Sequence, residues 1–259
     1  MLLSTATVLN VCGLMPQLLR AQHFVYDSVS FERQPFVAGT PLLGLDGWSP
    51  AIPPFLNPSA AVISNSVSST GRQSVEVQGG NLISSGGITF PYDAVGSYRL
   101  PLGFQPGPSK PIVLIEADLR LQTSAPATTG TAGSEDFFSM TIAARSASGA
   151  TLGEVGLSSA GAGVGYGFNV PPGSAALVRV PANFNVWNRI GIALDYSGAS
   201  TSVMYLFNGQ PIAVFPTSDD SGVLLRAAMV TYALPDGEGL ARADYTAGFD
   251  NFRVSVHGK

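Results

Sequence analysis

The stretch from Trp187 to Gln210, WNRIGIALDYSGASTSVMYLFNGQ, constrains the fold more than any other part of the chain. Ile190, Ile192, Leu194 and Tyr196 alternate with Arg189, Gly191, Ala193 and Asp195. Alternation with period two is what a strand shows when one face is buried and the other is not. A short Gly/Ser/Thr turn leads into a second strand through Val203, Tyr205 and Phe207. That strand closes on Asn208-Gly209, the dipeptide that best tolerates the left-handed backbone of a two-residue hairpin turn. The pattern predicts an antiparallel hairpin, with Trp187 in the core at the head of its buried strand.

The rest of the chain repeats this signature. Val113, Ile115, Ala117, Leu119 and Leu121 alternate with Glu116, Asp118 and Arg120 over Ile112–Leu121. Phe138, Met140, Ile142 and Ala144 are expected to point inward, opposite Ser139, Thr141 and Arg145, with Leu152–Leu157 pairing alongside. Shorter strands are expected at Ala61–Asn65, Ser74–Gln78, Tyr98–Leu100, Leu177–Val180, Ile212–Phe215 and Ala227–Ala233, and a last one over Gly248–Val256. Pro50–Pro58 is too rich in proline for a central strand. No long 3.6-residue period follows residue 25, so the chain reads as strands and loops. Its 259 residues suffice for one large β-sandwich, and no internal repeat or domain boundary is visible.

Three segments resemble a known superfamily. The opening Phe31-Glu32, Gly39 and Gly44-Leu45-Asp46-Gly47-Trp48, the Trp187 hairpin, and the ending Gly248-Phe249-Asp250-Asn251-Phe252 are similar to concanavalin A-like and laminin-G-like domains. The resemblance implies an all-β, two-sheet antiparallel jelly roll over residues 23–259, with the last strand returning beside the first. It also implies a fold used largely to bind or cut glycans. Fold alone does not choose between the two.

Charge narrows the partners. Charged residues make up only 12% of the chain, against about 25% in an average protein. The surface is therefore rich in Ser, Thr, Asn and Gly, or partly covered by other subunits. The net charge of −4 and the lack of a Lys/Arg cluster exclude a phosphate-binding stripe for nucleic acid. Residues 1–22, MLLSTATVLNVCGLMPQLLRAQ, read as a signal peptide, with Ala21 before a cut at His23. The usual basic start is missing, however, because the first positive charge is Arg20. A retained apolar arm is the alternative. Asn10, Gly13 and Pro16 make the segment a poor membrane span. Cys12, the only cysteine, rules out a disulfide within the chain. A secreted or surface-attached protein is expected.

Chemistry is limited by what is missing. The two histidines, His23 and His257, lie at the termini, so a Ser-His-Asp triad in the body is excluded; both read as surface residues. Glu116 and Asp118 share a strand face about 7 Å apart, a separation at which paired carboxylates hydrolyse glycosides. The resemblance implies an E-x-D-x-E strand for that chemistry, but Arg120 stands where the third acid belongs. Outward Arg120, Arg145, Arg189 and Asp195 are candidate glycan ligands, with Trp48, Tyr92, Tyr98 and Tyr166 as loop-edge aromatics. Glu32 and Asp250 are candidates for a structural Ca²⁺ at the edge where first and last strands meet.

The resulting expectation is a non-catalytic carbohydrate-binding or adhesive module. Its alternatives are a self-associating, homo-oligomeric structural subunit and a polysaccharide hydrolase using Glu116 and Asp118.

Overall fold

The computed structural model describes residues 22–50, 61–78, 92–102, 112–123, 139–158, 161–163, 179–180, 183–198, 201–216, 225–235 and 245–258. The strands are β1 (Gln22–Asp27), β2 (Ser49–Pro50), β3 (Ala61–Ser64), β4 (Ser74–Gln78), β5 (Tyr92–Pro101), β6 (Ile112–Thr123), β7 (Ser139–Ser146) and β8 (Thr151–Ser158). They continue with β9 (Gly161–Gly163), β10 (Arg179–Val180), β11 (Asn188–Asp195), β12 (Ser202–Phe207), β13 (Gln210–Pro216), β14 (Leu225–Pro235) and β15 (Tyr245–His257). They form two antiparallel sheets stacked as a jelly-roll β-sandwich. The first sheet runs β13-β12-β11-β6-β15-β4-β3, with β1 also on β15; the second runs β10-β9-β8-β7-β14-β5-β2.

The alternation predicted for β6 and β11 decides which side chains meet between the sheets. Val113, Ile115, Ala117, Leu119 and Leu121 of β6 join Ile190, Ile192 and Leu194 of β11 in one buried cluster with Met140, Ile142 and Ala144 from the second sheet. Phe138 lies outside the described residues. β11 and β12 pair as the expected hairpin, and β12 turns into β13 through Asn208 (φ 49°) and Gly209 (φ 77°). Two consecutive positive φ values make the tight two-residue turn whose twist matches the flanking strands. The proline-rich stretch begins at Ser49–Pro50 on the edge of the second sheet, where a missing N–H costs no ladder bond.

The opening and ending motifs turn out to be one packing unit. The last strand does return beside the first, with β1 paired antiparallel to β15. The β6 register on β15 shifts between Asp250 and Arg253, and Asn251 takes φ 49° there. A bulge of this kind inserts a residue and resets which side chains face the core. Phe249 before it and Phe252 after it are therefore both fully buried. They close on Trp48, Phe31 and Tyr26, with ring centroids 5.0–6.3 Å apart and mostly edge-on. Trp48 Nε1 donates to Tyr26 Oη at 3.0 Å, which satisfies the one polar atom of a ring only 1% exposed. Trp48 is thus core, and not the loop-edge aromatic its neighbouring glycines suggested. The chain from Phe31 to Trp48 folds back under β15, a long-range contact that local sequence does not announce.

Candidate functional site

The outer face of the first sheet carries most of the sequence-predicted site residues, and register lays them out in rows. One row crosses four strands. Gly248 of β15 pairs with Glu76 of β4 on one side and Arg120 of β6 on the other. Asn188 pairs with Leu119, so Trp187 falls beside Arg120. The row reads Glu76, Gly248, Arg120, Trp187. Glycine matters here because a Cβ on Gly248 would stand 3.3 Å from Trp187 Cη2 and 3.3 Å from the Val75 carbonyl oxygen. The indole leans across the sheet into the gap that the missing side chain leaves.

These residues line a shallow depression, together with Val67, Ser74, Gln122, Thr246 and Ala247. Glu76 accepts hydrogen bonds from Ser64 Oγ (3.0 Å) and Ser66 Oγ (2.6 Å), which fix its carboxylate at the rim. Arg120 Nε donates to the Asn185 carbonyl at 3.2 Å. Partial burial draws the guanidinium below its usual value, and the nearby Glu76 carboxylate opposes that shift. Trp187 is half-buried, and its buried Nε1 has no acceptor among the described residues.

Trp187 therefore faces outward, against the expectation that it heads the core. The signal was present in the alternation. Counting back from inward Ile190 puts Asn188 inside and Trp187 on the face of Arg189. Asn188 is indeed the buried one, its amide donating to the carbonyls of Asn183 (3.3 Å) and Val186 (3.1 Å).

The next rows hold the paired carboxylates. Asp118 is 4% exposed and accepts four hydrogen bonds: from Arg189 Nε (2.9 Å) and Nη2 (3.3 Å), Asn251 Nδ2 (2.7 Å) and Ser69 Oγ (2.7 Å). Burial works against its charge, yet the bonds from Arg189, Asn251 and Ser69 hold its carboxyl below the usual range. Glu116 moves the other way. Burial pushes its carboxyl up against the pull of Arg189 and Arg253. Arg189 is thus committed to Asp118 rather than left free for a ligand.

The remaining candidates are dispersed. Asp195 lies at the far end of β11, where it accepts the Ser197 N–H at 2.8 Å and closes a turn. Arg145 sits on β7 in the second sheet, 3.9 Å from Glu154, so it belongs to a different face from Arg120 and Arg189. Side chains at Tyr92, Tyr98 and Tyr166 lie outside the described residues. His257 is 4% exposed and bonded to Ser255 Oγ at 3.0 Å, not a surface residue; His23 is exposed.

Glu32 and Asp250 do approach one structure, the loop Ser68–Gln73. Glu32 Oε1 accepts the N–H groups of Arg72 and Gln73. Asp250 accepts Ser30 Oγ (2.8 Å) and the N–H groups of Ser69 (2.8 Å), Thr70 (3.1 Å) and Asn251 (2.7 Å). Calcium needs oxygen lone pairs converging on a point. Here donors converge on the carboxylates, so these residues do not fit a calcium ion. Among the described residues, no group of three or more His, Cys, Asp or Glu is placed to hold a metal. Nor is any helix among them long and apolar enough to cross a membrane.

No protein-family profile matches the sequence, and no curated protein is significantly similar to it. Solved structures do match. A conserved carbohydrate esterase from the Shiga toxin-encoding bacteriophage phi24B is 14% identical at TM-score 0.50, over 82% of this chain and 91% of that one. An endo-1,3-β-glucanase from Streptomyces sioyaensis is 10% identical at TM-score 0.47, over 78% and 80%. A lectin from Bauhinia forficata, in complex with GalNAc, is 9% identical at TM-score 0.43, over 92% and 99%. A sialidase also matches, but the chain spans only 17% of its length. At 14% identity the esterase match shows a likeness of fold and nothing finer.

Proposed function

We propose that this protein is an exported carbohydrate-binding module of concanavalin A-like type, and that the Trp187 depression takes the sugar. The observation that carries this reading is the row Glu76, Gly248, Arg120, Trp187. Sugars present flat C–H faces ringed by hydroxyls. An aromatic ring matches the first, and charged or amide side chains match the second. Trp187 supplies the ring, and Glu76, Arg120, Gln122 and Thr246 supply donors and acceptors around it. The orphaned indole N–H adds a further reason. A buried donor without an acceptor costs about 1–3 kcal/mol, so a small turn of the ring toward a ligand hydroxyl is favoured.

A printed glycan array probed with the full chain tests the proposal. Binding to at least one class of oligosaccharide is expected. Trp187→Ala should weaken it at least about tenfold, the equivalent of about 1.4 kcal/mol. Gly248→Val, which fills the floor and displaces the ring, should do the same. Trp187→Ala lies on the outer face and should leave the melting temperature within a few degrees. Equal glycan binding by wild type and Trp187→Ala would remove the site from the proposal.

A hydrolase is the second reading, favoured by one observation. Glu116 is pushed up while Asp118 is held down, and carboxylates driven apart in this way mark an acid and a base. Asp118, however, is buried under four donors. Glu116 also lies four residues, about 13 Å, along β6 from Arg120. Glu116→Gln is expected to leave any polysaccharide turnover by the preparation unchanged. A loss of 100-fold or more in that variant would favour the hydrolase.

A further inference from the structure

Arg120 differs from the cations that follow it along the outer face of the first sheet. Arg189 is engaged with Asp118 at 2.9 Å, and Arg253 with Asp27 at 3.2 Å. Arg120 donates from Nε to the Asn185 carbonyl at 3.2 Å, while its terminal nitrogens, Nη1 and Nη2, meet no acceptor among the described residues. None of the ion pairs among those residues includes it. The register shows why. Gly248 stands between Arg120 and Glu76, so their backbones are two inter-strand spacings, about 10 Å, apart. Glu76 is held at the far rim by Ser64 and Ser66. Asp118, two residues back along β6, is already taken up by Arg189, Asn251 and Ser69.

The depression thus presents a guanidinium anchored at Nε, with its terminal fork open. Partial burial works against this charge, and Glu76 offsets the loss only in part. A carboxylate laid across the fork would restore what burial removes. Its two oxygens match the spacing of the two N–H groups, and such charge-assisted pairs are stronger than neutral hydrogen bonds. Trp187 lies in the same row, one strand away. In a hexuronate the carboxylate projects from the rim of the sugar ring. A ring lying on the indole therefore carries its acid toward the neighbouring strand. Gln122 and Thr246 pair with each other in the next row, about 7 Å along β6 from Arg120, within reach of the flanking hydroxyls.

We infer that the Trp187 depression selects acidic sugars, seating a hexuronate unit with its ring on Trp187 and its carboxylate across Nη1 and Nη2 of Arg120. The inference rests on reading the depression as a sugar site and adds the class of sugar. Glu76 faces the other side of the unit, where it accepts from hydroxyls and repels a second anion. A sialic acid carries the same carboxylate, so the test includes both sources.

The full chain is titrated by calorimetry with tetramers of glucuronate, galacturonate, mannuronate and guluronate, and with sialyllactose, each beside its carboxyl-reduced counterpart. At least one hexuronate should bind at least about tenfold more tightly than its reduced form, as a charge-assisted bidentate contact implies. That preference should shrink as salt rises, because an ion pair at a partly open site is screened. Arg120→Gln should bring the acid down to the affinity of the reduced form. Arg120→Lys, which keeps the charge without the fork, should retain only part of the preference. Both variants should keep the wild-type circular dichroism. Trp187→Ala should weaken the acid and reduced forms together. The inference is overturned if wild type binds the reduced forms as well as the acids, if no hexuronate binds, or if sialyllactose alone shows the preference. Binding without acid preference that is lost in Trp187→Ala would overturn the acid selectivity and leave the depression as the sugar site. A preference untouched by both Arg120→Gln and Trp187→Ala would overturn both readings.

Discussion

Replacing Trp48 with alanine is expected to destabilise the protein by about 3–5 kcal/mol, the usual cost of removing a large aromatic side chain from a packed core. Trp48 is only 1% exposed and touches three rings from two strands: Tyr26 of β1, and Phe249 and Phe252 on either side of the β15 bulge. Its removal leaves a cavity that edge-packed rings cannot close without breaking their own contacts. It also takes away the donor to Tyr26 Oη. Such a loss is a large part of the roughly 5–15 kcal/mol that holds a typical domain together. Urea unfolding should show the midpoint falling at constant slope. A change below about 1 kcal/mol would mean that the opening segment does not pack under the last strand. Trp187→Ala, which removes the same residue type from the outer face, is the internal control and should cost far less.

Asp118→Asn is expected to cost about 2–3 kcal/mol at pH 7. Breaking a fully buried ion pair typically costs about 3–5 kcal/mol. The figure here is lower because the Arg189 side chain stays 43% exposed and water screens what remains. The pH dependence carries its own sign. Asp118 has a folded-state pKa below the ordinary aspartate value of 3.8. Its ionised form therefore stabilises the fold fully above that value, and the contribution fades as pH falls through the depressed one. The gap between wild type and variant should be constant from pH 7 down to about 4 and should close toward pH 2. A gap that stays the same across this range would mean that the charge of Asp118 does not matter to the fold.

Much of this architecture could be read from alternation, because a period of two is a local property of the backbone. β6, β7, β11 and β12 lie where their apolar residues recur, and Asn208-Gly209 makes the turn its backbone permits. What failed was non-local. Alternation says that Arg120 and Arg145 both point outward, but not that they sit on opposite sheets. Sheet membership is set by which strands pair. Trp48 looked like a loop aromatic because its glycine neighbours are local, while the aromatic rings that bury it lie at residues 26, 249 and 252. Trp187 is the reverse case: the alternation places it outside, although its large apolar ring alone would favour the core. Asp250 and Asn251 could be recognised as a motif, but their role in a bulge and in holding the Ser68–Gln73 loop needs the register of β15 on two neighbours.

The Trp187 depression is the proposed sugar site, and the most direct test watches that ring. The chain has two tryptophans, so a ¹⁵N-labelled sample should give two indole N–H signals. One comes from core Trp48, bonded to Tyr26, and one from Trp187 on the outer face. Titration with the best-binding oligosaccharide from the array should shift the Trp187 signal saturably, toward the position of a hydrogen-bonded indole, and leave the Trp48 signal in place. Saturable sugar binding that leaves the Trp187 signal unmoved would contradict the account and send the search for the site to another face.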